Sequence, residues 1–111
     1  GLIMPGPIQS AMAAALSDSS EIALQKERYR TRRTLLRKAI ESAGFEVSYS
    51  EAGLYLWATK HEECWESVGW AAARGVLVTP GIFYGEKGAR HVRIALTASD
   101  ADIDKAIARL R

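Results

Sequence analysis

Residues 75–99 read GVLVTPGIFYGEKGARHVRIALTAS, which is strand, glycine-rich loop, strand and helix cap in turn. Val76, Leu77 and Val78 are strand-forming residues, stopped by Pro80-Gly81. The loop after them holds Gly81, Gly85 and Gly88, and His91 to Leu96 returns as a second strand. Side chains alternate across a strand, so Val92, Ile94 and Leu96 share one face. Arg93 points to the other face, between His91 and Ala95. Two readings of Arg93 stand at this point. It is a cation on a solvated sheet face, or its planar fork grips a carboxylate through two parallel hydrogen bonds.

Downstream, Ser99 caps a helix with Asp100 and Asp102 in its first turn, where the helix dipole favours acids. Ile103, Ala106, Ile107 and Leu110 repeat at the spacing of a buried helical face. Upstream, Leu54 to Ala58 reads as an apolar, aromatic strand covered on both faces, and Phe45 to Tyr49 as a shorter one. Glu51-Ala52-Gly53 turns between them. Thr59-x-x-Glu62 has the spacing of a capping box, opening a helix that carries Trp65, Val68 and Ala72 inward and ends at Gly75.

A long helix is expected from Glu21 to Ala43, stopping at Gly44. Ile22, Tyr29, Leu36, Ile40 and Ala43 lie near one stripe of it. At ~1.5 Å per residue it exceeds ~30 Å, the length of a helix that bridges two domains. A first helix follows Pro5-Gly6-Pro7, with Ile8, Met12, Ala15 and Leu16 at helical spacing. The expected architecture is an α/β (α+β) two-layer sandwich: a small, mostly antiparallel sheet with helices packed on it, preceded by a long helix.

The length of 111 residues suggests a single domain over 1–111, and 48% hydrophobic residues suffice for a modest core. Lys26, Arg30, Arg33 and Arg37 form a basic stripe on the long helix, extended by Arg28, Arg32 and Lys38. Phosphate binding is one reading of that stripe. A net charge of +2 and the lack of interleaved aromatics favour a solvated face paired with Glu27 and Glu41, so no nucleic acid is expected. No apolar run is long enough to span a membrane. The lone Cys64 excludes an internal disulfide and fits a reducing, cytoplasmic compartment. His61 and Cys64, three apart, do not amount to a metal site.

Several runs together carry a resemblance: Gly53-Leu-Tyr-Leu-Trp57, Arg74-Gly-Val-Leu-Val-Thr-Pro-Gly81, Phe83-Tyr-Gly85 and His91-Val-Arg-Ile-Ala-Leu96. They resemble the C-terminal small domain of fold-type I aminotransferases that depend on pyridoxal phosphate. With Pro5 to Gln9, Ser50 to Trp57 and Cys64-Trp65, the chain looks most like the succinyldiaminopimelate aminotransferases of lysine and peptidoglycan synthesis. The resemblance implies that Arg93 grips the substrate α-carboxylate and that Tyr55 is an aromatic near the substrate. Ile82 to Tyr84 would lie near the substrate entrance. It also implies a homodimer and transamination between glutamate and an N-succinylated 2-amino-6-oxo acid. The family's Schiff-base lysine lies in a Ser-rich motif, and Lys26, Lys38, Lys60, Lys87 and Lys105 sit in no such motif. The expectation is therefore a piece of a longer enzyme, its helices over 7–43 leading to a large domain. It would hold the substrate arginine, no catalytic residue and no cofactor residue. A stand-alone α/β module that binds an acidic ligand through Arg93 is the alternative.

Overall fold

The computed structural model describes residues 4–110. Two helices lead the chain, α1 over Gly6–Ser17 and α2 over Ser20–Ser42. Strands β1 (Glu46–Ser48) and β2 (Tyr55–Thr59) follow, then α3 (Cys64–Ala72), β3 (Thr79–Pro80), β4 (Val92–Ala95) and α4 (Asp100–Leu110). Two 3₁₀ turns, Gly81–Tyr84 and Glu86–Gly88, bridge β3 to β4. The strands form one sheet in the order β1-β2-β4-β3, and every neighbouring pair is antiparallel. This is the two-layer α+β arrangement expected from the sequence.

The long helix ends where glycine permits it. Gly44 adopts φ +89°, a left-handed conformation that a Cβ disfavours. The chain then folds back, and the Phe45 N–H donates to the Ile40 carbonyl at 3.1 Å. Gly75 closes α3 in the same way at φ +70°, with the Val76 N–H on the Ala71 carbonyl at 3.0 Å. At α4 the Ser99 hydroxyl accepts the Asp102 N–H at 3.2 Å and donates to its carboxylate at 2.7 Å. That bond, then Lys105, holds the Asp102 carboxyl below the usual carboxylate range.

One sheet face is the core. Register places Leu56 opposite Ile94, and Ala58 between Val47 and Val92. These residues are buried with Leu36 and Ile40 of α2, Cys64 of α3, and Ile103 and Leu110 of α4. Arg32, read from the sequence as part of a basic stripe, is buried instead. Its Nη1 donates to the Leu96 carbonyl at 2.9 Å and its Nε to the Asp100 carboxylate at 2.6 Å, tying α2 to the strand end and to α4. Arg33 is half-buried, with a buried Nε and its Nη2 donating to the Gly53 carbonyl, while Arg30 pairs with Glu27 and Arg37 with Glu41 as expected.

Four local expectations are corrected. Val76, Leu77 and Val78 lie outside the ladder, where pairing is confined to Thr79 and Pro80. Proline brings no N–H to a ladder, and Leu77 is exposed. Thr59 opens no capping box: it ends β2, donates its hydroxyl to the Arg90 carbonyl and accepts the His61 N–H at 2.9 Å. The helix begins later, with the Cys64 N–H on the Ala89 carbonyl at 2.8 Å. The buried face is Cys64, Ser67 and Ala71, with Val68 packed against the core as expected, while Trp65 and Ala72 are exposed. Finally, β2 is covered on one face only, since Tyr55 is exposed. At the other end of the chain, α1 has no buried residue, and Ile8, Met12 and Leu16 are exposed.

Candidate active-site face

The second face of the sheet carries the polar and aromatic residues. Across it runs the row Ser48, Trp57, Arg93 and Thr79, each directly opposite the next in register. Tyr55 follows on the same face, opposite Ala95. The sequence therefore brings Arg93 and Tyr55 together through two parities, one on β2 and one on β4. The Arg93 guanidinium carbon lies 4.2 Å from the Tyr55 ring centroid and 5.1 Å from that of Tyr84. Such contacts hold a guanidinium by its attraction to the ring quadrupole.

Arg93 has no carboxylate partner among the described residues, and its buried Nε–H donates to no acceptor among them. A buried guanidinium nitrogen left unpaired is costly, since it has given up water. An acceptor brought from outside can satisfy it, and a carboxylate matches the fork with two parallel bonds.

The loop residues are set by glycine. A Cβ on Gly88 would stand 2.1 Å from the Gly81 carbonyl oxygen, and one on Gly81 would stand 2.3 Å from that of Gly88. No side chain fits at either position, so the two backbones touch. The Gly81 N–H donates to the His91 carbonyl at 2.8 Å, and the His91 N–H returns to the Gly88 carbonyl at 2.9 Å. This closure fixes the segment bearing Ile82, Phe83 and Tyr84. Tyr84 packs edge-on to Trp57 with centroids 5.9 Å apart, and Phe83 packs edge-on to Trp65 at the same separation. Ile82 instead packs against the core, away from this cluster.

Trp57 and His91 are members of the face that sequence reasoning missed. Their rings stack at 5.1 Å with 10° between planes. Partial burial lowers the His91 pKa below that of an ordinary histidine; the nearby His61 adds to this and Glu46 opposes it. Both residues share parity with Tyr55 and Arg93, which is a signal the strand pattern contained. Their contact needs the β2–β4 register and the glycine closure, which it did not contain.

The Lys60 ammonium sits 3.8 Å from the Trp70 ring centroid, and Lys105 pairs with Asp102 at 3.3 Å. Lys26, Lys38 and Lys87 are exposed. A Schiff-base lysine is activated by a desolvated or cationic setting, which exposed positions lack. His61 is bonded to Glu46 at 3.1 Å, while Cys64 is buried in the core, so the two do not converge on a metal.

The family profile described as aminotransferase class I and II matches residues 1–110. The chain is 54% identical over 110 residues to a probable aminotransferase of Mycobacterium tuberculosis, covering 99% of this chain and 26% of that protein. It is 53% identical over 110 residues to 4-dedimethylamino-4-oxo-anhydrotetracycline transaminase of Streptomyces rimosus, covering 99% and 31%. An LL-diaminopimelate aminotransferase of Dehalococcoides mccartyi is 39% identical over 112 residues, covering 96% and 29%. Among solved structures, an aminotransferase from Staphylococcus aureus superposes with a TM-score of 0.82 at 28% identity, over 96% of this chain and 30% of that one. The chain thus spans about a quarter to a third of the length of these relatives. With the match running over residues 1–110 and the same two-layer fold in a solved aminotransferase, the chain belongs to the class I and II aminotransferase family.

Proposed function

We propose that this chain is the carboxylate-recognition part of a pyridoxal-phosphate-dependent aminotransferase. One observation carries the reading: Arg93 stands on the open sheet face, over two tyrosine rings, with a buried Nε that has no acceptor among the described residues. Arg93 binds and orients the α-carboxylate of the amino or oxo acid. Tyr55 lines the approach and excludes water from one side of that contact. The cofactor and its lysine come from sequence outside these residues, and the chemistry of amino transfer is theirs.

The relatives use different substrates by name, and the substrate is the finer part of the proposal. We assign glutamate as amino donor and an N-succinylated 2-amino-6-oxo acid as acceptor, in the cytoplasm, by a homodimer. The resemblance of residues 50–57 to the succinyldiaminopimelate enzymes supports it. Run with 2-oxoglutarate, the longer protein is expected to prefer N-succinyl-LL-diaminopimelate over LL-diaminopimelate. A reversed preference overturns the assignment.

The arginine is tested in the same protein. Arg93→Gln is expected to raise KM for the amino donor about 10- to 100-fold, the weight of hydrogen bonds to a charged group. Cofactor absorbance is expected to stay unchanged. An unaltered kcat/KM removes Arg93 from the site.

A further inference from the structure

We propose that Tyr84 is a positioning residue for Arg93, built into a glycine-locked loop, and that it acts through its ring and not its hydroxyl. The inference rests on the carboxylate reading of Arg93 and extends it to the group that aims the fork. Tyr84 comes from a different part of the chain than either strand of the site, so something must fix it there. The contact between Gly81 and Gly88 does so from below, closing the loop at its base onto His91. Trp57 does so from the side, meeting the Tyr84 ring edge-on, and Trp57 is in turn stacked on His91. The far end of this train of rings is the Arg93 guanidinium, 5.1 Å from the Tyr84 centroid.

A long arginine on an open sheet face has many rotamers, and holding one costs entropy on binding. A ring laid against the guanidinium removes that freedom beforehand, because the attraction is to the π face and leaves the N–H edges free for a ligand. The contact between the two residues is the guanidinium over the Tyr84 ring, so the ring carries the effect. Tyr84 is itself 53% exposed, so it contributes little to the core, and its replacement leaves the fold standing.

The test compares Tyr84→Leu and Tyr84→Phe in the 111-residue chain, following the Arg93 Nε–H signal by NMR with and without 2-oxoglutarate. The ligand-free signal of the unsubstituted chain is expected to be displaced by the ring currents of Tyr55 and Tyr84. Tyr84→Leu is expected to lose part of that displacement and to bind 2-oxoglutarate about 5- to 20-fold more weakly, while Tyr84→Phe changes neither. If Tyr84→Leu keeps both the displacement and the affinity, the positioning role is overturned and the carboxylate reading survives. A phenylalanine variant as impaired as the leucine one also overturns it, since the hydroxyl would then matter. If the Arg93 signal of the unsubstituted chain ignores 2-oxoglutarate, the carboxylate reading fails and the positioning role falls with it.

Discussion

The two faces of β4 obey different rules. Val92, Ile94 and Leu96 are buried against helices, and their neighbours are apolar. Where that side does carry a charge, Arg32, it is bonded to the Leu96 carbonyl and the Asp100 carboxylate. One residue along the strand, Arg93 and His91 each keep a buried nitrogen with no partner among the described residues. A core spends its burial on stability and satisfies its polar atoms. A face that leaves them unsatisfied, beside rings packed edge-on and stacked, is prepared for something that comes from outside.

The sharpest way to break the contrast is to cut one residue from each face. Leu56 is fully buried, and Leu56→Ala is expected to cost about 2–5 kcal/mol in urea unfolding through lost burial and a cavity. Arg93→Gln is expected to cost less than about 1 kcal/mol in the same experiment, because its Nε has no protein partner to lose among the described residues, while weakening carboxylate binding about 10- to 100-fold. Equal losses would mean that Arg93 is a structural residue.

A smaller effect sharpens the comparison from the open face. Because burial depresses the His91 pKa, the folded state disfavours its proton relative to the unfolded chain. The contribution is therefore complete above the ordinary histidine value of 6.5 and is lost as pH falls below it toward the depressed folded value. NMR titration of the ring is expected to place the His91 midpoint below that of an ordinary histidine. A midpoint at or above the ordinary value contradicts the placement of the ring in a desolvated stack.

Much of this was legible in the residues. The parity of Val92, Ile94 and Leu96 against Arg93 gave the two faces, because alternation is forced by strand geometry. Gly44 and Ser99 gave helix ends, because few other residues serve there. What was not legible depends on contacts distant in sequence. Arg32 reads as one more exposed cation until Asp100 and the Leu96 carbonyl stand beside it. Thr59 fits a capping box until the Arg90 carbonyl takes its hydroxyl. Tyr84 meets Arg93 only because Gly81 and Gly88 touch, and nothing local announces that contact.

The most direct test of the account is a side-chain NMR titration of the 111-residue chain with 2-oxoglutarate, using Arg74 as the internal control. Arg74 also lies over an aromatic ring, with its guanidinium carbon 4.2 Å from the Trp70 centroid, but its Nη1 already donates to the Trp70 carbonyl. A site built at Arg93 predicts a saturable shift of the Arg93 Nε–H signal with the Arg74 signal unmoved. Parallel, unsaturated drift of both would mean that the dianion sees only surface charge, and that the open face is not a carboxylate site.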